Sequence, residues 1–443
     1  MKKTVRWRLT TFQIISFGFV IFILVGALLL TLPMASRDGR GAPFGDCLFT
    51  AVSAVCVTGL VVRDTATAWS SFGQAVILLL IQVGGMGVVT AAVSISFISG
   101  KKIGLKQRST MQEALAAPQV GGIVRLTRFI LAASGIIELT GAVLLYPAFV
   151  PVFGAGKAIW YACFHSISAF CNAGFDLMGV QEPFSSLTPF VQHPLANLAL
   201  SLLITVGGLG FLTWTDFKEH GFHWKKYRMQ TRVILITSGS LTTLLLLYFL
   251  FFELGDLPLG QRIFPALFQS VTLRTAGFNT VDLNRFSDGG KALMILWMLI
   301  GGSPGSTAGG MKTTTVAVLL LNARAVIQRK ENVECFKRRI ADETARSAAA
   351  ILLLYLGLFF LCGMVISRVE QLPLLTCLFE TASAVGTVGV TLGVTTRLGG
   401  LSRALLMLLM FFGRVGGLTL IYAAHAPLKP AQGTMPIEKI TVG

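Results

Sequence analysis

The chain has 443 residues, of which 53% are hydrophobic and only 13% are charged, with 37 Lys and Arg against 20 Asp and Glu. Soluble domains carry about 25% charged residues, so this composition excludes an ordinary soluble enzyme and a disordered protein. The net charge of +17 alone would suit a nucleic-acid binder, but uncharged stretches as long as Phe72–Ser99 are typical of membrane proteins. The composition therefore predicts an all-α integral membrane protein that binds no nucleic acid.

Eight apolar segments are long enough to cross a membrane, because spanning ~30 Å of hydrocarbon takes about 20 helical residues. They are Phe12–Leu32, Phe72–Ser99, Phe129–Val152, Leu195–Trp214, Val233–Phe252, Ala292–Leu321, Ala348–Ile366 and Ala404–Ala424. The sixth segment is interrupted by the sequence GGSPGSTAGG at Gly301–Gly310. An even number of spans places both chain termini on the same side of the membrane.

The distribution of basic residues predicts which side this is. The side shared by both termini carries 24 Lys and Arg against eight Asp and Glu, whereas the opposite side carries ten of each kind. Basic residues are enriched in the cytoplasmic loops of membrane proteins, so both termini are expected in the cytoplasm. The chain is therefore predicted to be a multi-pass protein of the cell membrane.

A short apolar segment followed by a glycine lies after the first, third, fifth and seventh spans. The four segments are LFTAVSAVCVTGLVV (Leu48–Val62), CFHSISAFCNAGFDL (Cys163–Leu177), LFQSVTLRTAGFNTV (Leu267–Val281) and LFETASAVGTVGVTL (Leu378–Leu392). Each has Phe at its second position, then small and hydroxyl residues, then Thr-Gly, Ala-Gly or Val-Gly. The glycines lie 115, 103 and 112 residues apart, which predicts an internal repeat.

The repeat divides the chain into four tandem units, each with a span, a short pore helix and a second span. The predicted units are 1–100, 101–217, 218–323 and 324–426, followed by a C-terminal tail at 427–443. Their pore loops are placed at 44–63, 158–177, 261–281 and 372–392, and the broken inner helix of the third unit at 301–312. Four such units around one axis would form a central pseudo-fourfold pore.

A pore segment of about a dozen residues is too short to cross a bilayer, but it is long enough to enter and return from the same side. Irregular backbone at membrane depth is tolerated only where protein buries it or it lines water. Helix C-termini aimed at a common axis favour a cation there, and glycine lets consecutive carbonyls face that axis. Rings of carbonyl oxygens then replace the hydration shell of the cation. The alternative is four external loops with turn glycines.

The sequence resembles the Trk/Ktr/HKT superfamily of potassium transporters over essentially its whole length, and within it the KtrB membrane subunits of Ktr uptake systems. The segments that carry the resemblance are DTATAWSSFGQAVILLLIQVGGMGVVT (Asp64–Thr90), GKKIGLKQR (Gly100–Arg108), RTAGFNTVD (Arg274–Asp282), GGSPGSTAGGMKTTT (Gly301–Thr315), FFGRVGGLTL (Phe411–Leu420) and the terminal EKITVG. The resemblance implies the K⁺-translocating membrane subunit of a potassium uptake system. Such a subunit is not an enzyme, and no organic cofactor is expected in this chain.

The resemblance also assigns a selectivity filter that binds K⁺ through backbone carbonyls. Its residues are Val57, Thr58, Gly59, Asn172, Ala173, Gly174, Thr275, Ala276, Gly277, Thr387, Val388 and Gly389. Only the fourth stretch, GTVGV, is close to the TVGYG of potassium channels, so the filter is expected to be less symmetric than theirs. Asp64, Asp176 and Asp282 lie just outside three stretches, where they either concentrate cations or are solvated loop acids.

The interruption of the sixth span is implied to be an intramembrane gating loop below the filter. The gate residues are Gly301, Gly302, Ser303, Pro304, Gly305, Ser306, Thr307, Ala308, Gly309, Gly310, Lys312 and Arg414. Five glycines and a proline within ten residues do not sustain a helix, although a simple kinked helix is the alternative. Shortening the loop is expected to raise K⁺ flux if the loop obstructs the pore.

Two charged side chains near the gate and filter have alternative roles. Arg414 is expected in the pore path, where it would repel cations and contact the gating loop. The structural alternative for Arg414 is an ion pair with Glu380 or Glu138. Glu380 lies within the fourth pore segment, so a role in bracing the filter is also open. The serine and histidine side chains of the pore segments are expected to hydrogen-bond the filter backbone.

Control of transport is expected from other molecules, because the cytosolic loops are short and contain no nucleotide-binding motif. The resemblance implies a homodimer, with the tail 427–443 at the dimer contact, and a separate cytosolic nucleotide-binding ring of the KtrA or KtrC type that senses ATP or ADP. The basic loops 99–128 and 324–346 are candidate surfaces for this ring or for anionic membrane lipids.

The inside-negative membrane potential supplies ~2.3 kcal/mol per 100 mV for a monovalent cation, which alone supports concentrative K⁺ uptake. Family members are commonly stimulated by Na⁺, so Na⁺ dependence is part of the hypothesis. One competing interpretation is a Na⁺/K⁺-translocating relative with weaker selectivity. Another is a secondary transporter of another fold, built on inverted repeats.

The first prediction concerns Gly59, the glycine of the first filter stretch. Sodium-selective plant relatives are expected to have serine at this position, so Gly59→Ser is expected to lower the discrimination between K⁺ and Na⁺. Competition of Na⁺ with K⁺ uptake in cells that express the variant measures the effect. An unchanged selectivity would contradict the assignment of Gly59.

Overall fold

The structure, a computed structural model, describes residues 10–98, 103–117, 119–424 and 438. Its α-helices are, in chain order, α1 (Thr11–Leu30), α2 (Phe44–Val55), α3 (Thr65–Ala68), α4 (Ser71–Met86), α5 (Val88–Ile98), α6 (Leu105–Ala114), α7 (Ile123–Phe153), α8 (Ala155–Phe170), α9 (Pro194–Gly208), α10 (Phe211–His220), α11 (Met229–Tyr248), α12 (Leu259–Thr272), α13 (Asp288–Leu299), α14 (Thr313–Ile327), α15 (Asp342–Glu370), α16 (Leu374–Gly386), α17 (Gly400–Val415) and α18 (Gly417–Ala424). Within these residues the strands are confined to a short antiparallel hairpin, β1 (Glu334–Cys335) and β2 (Arg338–Arg339). The fold is therefore mostly helical, as the composition predicts.

Four helices are long and apolar enough to cross a membrane: α1, α7, α15, and α11 together with the π-helical turn that extends it to Glu253. Three further spans are bent pairs, namely α4 with α5 at 105°, α9 with α10 at 96°, and α17 with α18 at 95°. This corrects the sequence-based expectation, which placed an interruption in the sixth span only. In that sixth span, α13 and α14 are separated by the segment Gly301–Gly310.

A glycine with positive φ causes each of the three bends. The φ angle is +84° at Gly87, +88° at Gly210 and +93° at Gly416. Residues with a side chain rarely adopt this conformation, and a right-handed helix does not continue through it. The second helix of each pair therefore leaves the direction of the first.

A second glycine, three residues before each bend, lets the helix lie directly against a carbonyl group of a short buried helix. A Cβ atom at any of these glycines would collide with that carbonyl oxygen. The contacts join Gly84 to Val55 O, Gly207 to Phe170 O, and Gly413 to Val385 O. Each of these carbonyls lies in the last turn of α2, α8 or α16, so the glycines allow the broken helices to pack against the ends of the short ones.

The short helices α2, α8, α12 and α16 occupy the interior of the molecule. The phenylalanine that recurs in the four apolar segments has no exposed surface in any of them: Phe49, Phe164, Phe268 and Phe379. The long helices instead present apolar side chains outward, as Ile136 on α7 and Leu353 on α15 show with exposed fractions of 66% and 71%. An apolar exterior around a buried helical interior is the arrangement expected in lipid.

An ion-pair cluster ties the beginning of the chain to its end. Asp46 lies in the first turn of α2, and its carboxylate is 2.7 Å from Arg63 Nε and 2.9 Å from Arg403 Nη1 of α17. Arg403 also donates a 2.9 Å hydrogen bond to Thr396 O. The first short helix is thereby held against the last broken helix.

The close contact at Gly413 generates a prediction. Gly413→Ala is expected to destabilise the protein by about 1–3 kcal/mol, because the new methyl group has to displace packed backbone. Thermal unfolding of the detergent-solubilised variant measures the loss. Gly357→Ala is the matched control, since no atom lies within 4 Å of a Cβ at that position of α15. A melting temperature of Gly413→Ala equal to that of the control would contradict the packing role.

Candidate functional site

Beyond the C-terminal ends of α2, α8, α12 and α16, the four glycines predicted for the filter lie against one another in a closed circuit. A Cβ at Gly59 would come within 3.1 Å of Gly174 Cα, and one at Gly174 within 2.7 Å of Gly277 Cα. A Cβ at Gly277 would come within 3.3 Å of Gly389 Cα, and one at Gly389 within 3.1 Å of Gly59 Cα. A side chain at any of the four positions would therefore force the neighbouring backbone to shift.

Backbone carbonyl groups line this circuit. Each glycine faces the carbonyl oxygen of the residue that precedes the next glycine. The Cβ positions of Gly59, Gly174 and Gly277 lie 2.5, 2.6 and 2.6 Å from the oxygens of Ala173, Ala276 and Val388 respectively, and that of Gly389 lies against Thr58 O. Carbonyl oxygens of four separate segments are thus brought together at one place.

The four segments share a backbone conformation. In each stretch the first residue and the glycine both have positive φ. The values are +50° and +90° at Val57 and Gly59, +56° and +69° at Asn172 and Gly174, +68° and +87° at Thr275 and Gly277, and +51° and +97° at Thr387 and Gly389. Repeated left-handed residues prevent the alternation of carbonyl directions found in a β-strand. The shared pattern therefore turns carbonyls of all four stretches in a similar way.

Hydroxyl groups of the short helices hold these stretches in place. Ser53 Oγ accepts a 3.1 Å hydrogen bond from Gly59 N, and Ser383 Oγ accepts one of 3.0 Å from Gly389 N. Ser168 Oγ and Thr272 Oγ1 instead donate 2.7 Å hydrogen bonds to the carbonyl oxygens of Phe175 and Phe278. Two of these bonds, made by serine side chains, reach residues predicted for the filter, and the other two reach the residue after the glycine.

The glycine-rich segment between α13 and α14 packs directly against two of these stretches. Thr307 Oγ1 donates hydrogen bonds to Asn172 Oδ1 at 2.9 Å and to Phe170 O at 3.0 Å. A Cβ at Gly309 would lie 3.1 Å from Thr387 Cβ. The residues predicted for the gate are therefore in contact with those predicted for the filter.

Backbone hydrogen bonds join the same segment to the two neighbouring broken helices. Ser303 N and Thr307 N donate to the carbonyls of Gly208 and Gly207 at 3.0 and 3.2 Å. Gly310 N donates to Gly413 O at 3.1 Å. The segment therefore spans from the end of α9 to α17, and its irregular backbone is satisfied by protein as membrane depth requires.

The tip of the segment reaches further than the sequence suggested. Gly305 O accepts a 2.7 Å hydrogen bond from Phe211 N at the start of α10. On its other side, a Cβ at Gly305 would lie 2.7 Å from Leu115 O, just after α6. The glycine-rich segment is thus in contact with part of the basic loop 99–128.

Arg414 holds the glycine-rich segment to the first broken helix. Its guanidinium donates hydrogen bonds to Thr307 O and Gly84 O, and a further one of 3.1 Å to Gly85 O. Nearby, Lys312 Nζ donates a 2.8 Å hydrogen bond to Ala308 O of its own segment. Both cations therefore bind backbone carbonyls.

This geometry corrects the structural alternative in which Arg414 pairs with an acid. Glu138 accepts a 2.9 Å hydrogen bond from Gln82 Nε2, and Glu380 accepts hydrogen bonds from Thr391, Leu392 and Thr395. Neither carboxylate is an ion-pair partner of Arg414. Arg274, adjacent to the third stretch, likewise binds Ser238 through its backbone oxygen at 3.3 Å and its hydroxyl at 3.0 Å.

Cavities lie on both sides of the glycine circuit and the segment beneath it. A cavity of about 460 Å³ is lined by all four glycines and by Asp64, Asp176 and Asp282. A second cavity, of about 310 Å³, is lined by the glycine-rich segment together with Lys312, Arg414 and the residues Glu113–Ala116. The carbonyl circuit and the segment therefore separate one cavity from the other.

Asp64 has a structural role in the first cavity. Its carboxylate accepts hydrogen bonds from Ala66 N at 3.0 Å and Thr67 N at 2.9 Å, and so caps α3. Its second oxygen accepts a 2.9 Å hydrogen bond from Phe184 N. Asp282 similarly caps a helical turn through Asn284 N, at 3.0 Å. Both residues also line the cavity that ends at the carbonyl circuit.

Comparison with known proteins identifies the family. The model of the family described as TrkH, cation transport protein, matches residues 4–430. The chain is 39% identical to the potassium/sodium uptake protein NtpJ of Enterococcus hirae, over 100% of this chain and 99% of that protein. It is 37% identical to the Ktr system potassium uptake protein B of Bacillus subtilis, over 95% of this chain and 94% of that protein.

The fold agrees with this family assignment. The chain superimposes on the crystal structure of the potassium transporter TrkH from Vibrio parahaemolyticus with a TM-score of 0.75 and 20% sequence identity. The match covers 95% of this chain and 86% of that structure. The chain therefore has the TrkH fold. The chain belongs to the TrkH family of cation transport proteins, multi-pass membrane proteins that move ions and are not enzymes.

Proposed function

We propose that this protein is the K⁺-translocating membrane subunit of a potassium uptake system. The observation that carries the proposal is the closed circuit of Gly59, Gly174, Gly277 and Gly389, which assembles carbonyl oxygens from four distant parts of the chain. Carbonyl rings of this kind replace the hydration shell of K⁺. The names of the relatives from Enterococcus hirae and Bacillus subtilis agree with potassium uptake.

In this proposal the chain comprises four span–pore-helix–span units, 1–100, 101–217, 218–323 and 324–426, around one pseudo-fourfold axis. The four short helices direct their partly negative C-terminal ends toward that axis, which stabilises a cation there. The bends at Gly87, Gly210 and Gly416 support the division, because each falls in the second span of a different unit. Each unit contributes one carbonyl stretch to the filter.

Buried hydroxyl groups support cation binding at this place. The Oγ1 atoms of Thr58, Thr275 and Thr387 have no hydrogen-bond partner among the described residues. A buried polar atom without a partner costs about 1–3 kcal/mol. A dehydrated K⁺ or a water molecule that accompanies it would satisfy these oxygens, as an apolar interior would not.

We further propose that Gly301–Gly310 gates the pore. The segment contacts the filter at Asn172 and Thr387 and separates the two cavities, so a cation leaving the filter meets it next. Arg414 keeps it closed, since the guanidinium bridges the segment to α4 and adds a positive charge. The ten-residue segment contains five glycines, which lowers the cost of changing its conformation.

Orientation and partners extend the proposal. Both termini lie in the cytoplasm, and the protein acts as a homodimer with a cytosolic nucleotide-binding ring that senses ATP or ADP. The contact of Gly305 with Leu115 supports a route from such a ring to the gate, because Leu115 belongs to the basic loop 99–128. Anionic membrane lipids are a further partner for these basic loops. The tail 427–443, proposed for the dimer contact, lies outside the described residues apart from Glu438.

A second candidate function is joint transport of K⁺ and Na⁺ with weaker selectivity. The observation in its favour is the 39% identity to a protein named potassium/sodium uptake protein. The degenerate first three filter stretches agree with it, because they depart from the potassium-channel pattern. The ratio of K⁺ to Na⁺ flux distinguishes this function from K⁺ uptake that Na⁺ only stimulates.

Flux into liposomes tests the proposed function. With an inside-negative potential of 100 mV, the purified protein is expected to accumulate K⁺ about 50-fold, the limit that the potential allows a monovalent cation. Liposomes without protein are the control for leak. Absence of K⁺ flux with and without a nucleotide-binding ring would contradict the proposal, whereas Na⁺ flux within about tenfold of K⁺ flux would favour the second candidate.

The gate generates its own prediction. Arg414→Gln is expected to raise K⁺ flux severalfold, because it removes both the positive charge and the bridge from Thr307 to Gly84. Arg339→Gln, which removes an exposed ion pair with Asp342 at the start of α15, is the control and is expected to leave flux unchanged in liposomes without a nucleotide-binding ring. Equal flux in the two variants, or a loss in Arg414→Gln alone, would show that Arg414 does not keep the gate closed.

A further inference from the structure

The residue that follows the recurring phenylalanine is polar and buried in all four apolar segments. These residues are Thr50, His165, Gln269 and Glu380, with exposed fractions of 1%, 0%, 0% and 0%. Side chains of these types are rarely buried in helices unless they have partners. Because the four differ in chemistry, no sequence pattern marks them as a set.

Three of the four reach the same part of their own loop, the outer arm that follows the filter glycine. His165 Nε2 accepts a 3.2 Å hydrogen bond from Leu177 N, three residues beyond Gly174. Gln269 Nε2 donates a 3.2 Å hydrogen bond to Asn279 Oδ1, two residues beyond Gly277.

Glu380 makes the most extensive of these contacts. Its Oε1 accepts hydrogen bonds from Thr391 Oγ1 at 2.6 Å and from Leu392 N at 2.9 Å, and its Oε2 accepts one of 2.5 Å from Thr395 Oγ1. Leu392 lies three residues beyond Gly389, the position that Leu177 occupies in the second loop. The carboxylate thus binds the outer arm by three hydrogen bonds from a fully buried position.

In the first loop the outer arm is attached to the short helix through a different residue. Thr50 Oγ1 donates its hydrogen bond to Asp46 O, within its own helix, at 2.8 Å. Arg63, four residues beyond Gly59, is bound to the carboxylate of Asp46 at 2.7 Å. In every loop, therefore, the outer arm is attached to the short helix that precedes it.

We propose that His165, Gln269 and Glu380 are positioning residues that set the ion selectivity of the filter by fixing the outer arms, with Glu380 the dominant one. This inference rests on the proposed function of the four glycine stretches. The inner end of each three-residue stretch is held by the helix, and the Ser or Thr hydroxyl bonds the glycine itself or the residue after it. The chain beyond that bond is held by the contact of the outer arm with the short helix, and the resulting position of the carbonyl oxygens decides which cation they match.

The fourth loop depends most on this attachment. Its stretch, Thr387–Gly389, is the one that resembles a potassium-channel filter, and it contacts the gate at Gly309. Glu380 makes three hydrogen bonds to its outer arm, whereas His165 and Gln269 make one each. The stretch that most resembles a potassium-channel filter is thus followed by the outer arm that makes the most hydrogen bonds to its short helix.

The test compares two glutamates with similar local chemistry. Glu380→Gln keeps the size of the side chain but weakens its bonds to the arm. Glu370→Gln is the matched control, because Glu370 also accepts from a backbone N–H and a hydroxyl, Gly399 N at 2.9 Å and Ser402 Oγ at 2.5 Å, but caps α17 away from the filter. Both variants are expected to lower the melting temperature slightly.

The readout is the ratio of K⁺ to Na⁺ flux into liposomes. Glu380→Gln is expected to lower this ratio about three- to tenfold, the size that corresponds to one weakened hydrogen bond, whereas Glu370→Gln leaves it unchanged. Thr395→Val is expected to act in the same direction. The double variant Glu380→Gln/Thr395→Val is expected to lose less than the sum of the two single effects, because both changes weaken the hydrogen bond between Glu380 and Thr395.

The outcomes separate this inference from the proposed function. An unchanged flux ratio in Glu380→Gln and Thr395→Val, with wild-type K⁺ flux intact, would overturn the positioning role and leave K⁺ uptake standing. Additive losses of the flux ratio in the double variant would also contradict the claim that Glu380 and Thr395 act through one shared hydrogen bond. Wild-type protein that carries no K⁺ would overturn the proposed function, and the inference with it.

Discussion

The structure depends on the contact of four glycine backbones at one point. The Cα atoms of Gly59, Gly174, Gly277 and Gly389 lie so close to neighbouring backbone that a Cβ at any of them would meet the next segment. Only glycine tolerates this approach together with φ values between +69° and +97°. The contact brings carbonyl groups of four segments together in a buried place. The surrounding helices therefore have to hold these four segments in position.

The surrounding helices supply this support in a consistent way. Each short helix is buried through its phenylalanine and holds its stretch by a hydroxyl near its C-terminus. Glycines on α4, α9 and α17 allow these helices to lie against the carbonyls of α2, α8 and α16, and the next glycine turns the chain away. The broken helices are therefore a consequence of packing closely around the short ones.

The glycine-rich segment Gly301–Gly310 occupies the corresponding place below the third short helix. It has no helix of its own, so its polar groups are bound by Gly207, Gly208 and Gly413 and by the side chain of Arg414. The same segment contacts the filter stretches on one side and Leu115 on the other. This double contact is what suits the segment to the gating role proposed for it.

The sequence alone predicts the four glycines and the interrupted span, because both are local patterns: a recurring Phe and Gly nine or ten residues apart, and five glycines with a proline. The bends at Gly87, Gly210 and Gly416 escape prediction, since glycines are frequent in this chain and only φ distinguishes these three. The partners of Arg414 escape it as well, because backbone carbonyls carry no sequence signature. His165 and Gln269 share no residue type with Glu380, so only the contacts reveal their common position.

The central claim is that the four stretches form one binding site for a dehydrated monovalent cation. Anomalous diffraction from crystals of the protein soaked in Tl⁺ or Rb⁺, which replace K⁺, tests it most directly. The account predicts anomalous density enclosed by the carbonyls of Val57–Gly59, Asn172–Gly174, Thr275–Gly277 and Thr387–Gly389. Density elsewhere, or four glycines that lie apart and face lipid, would contradict it.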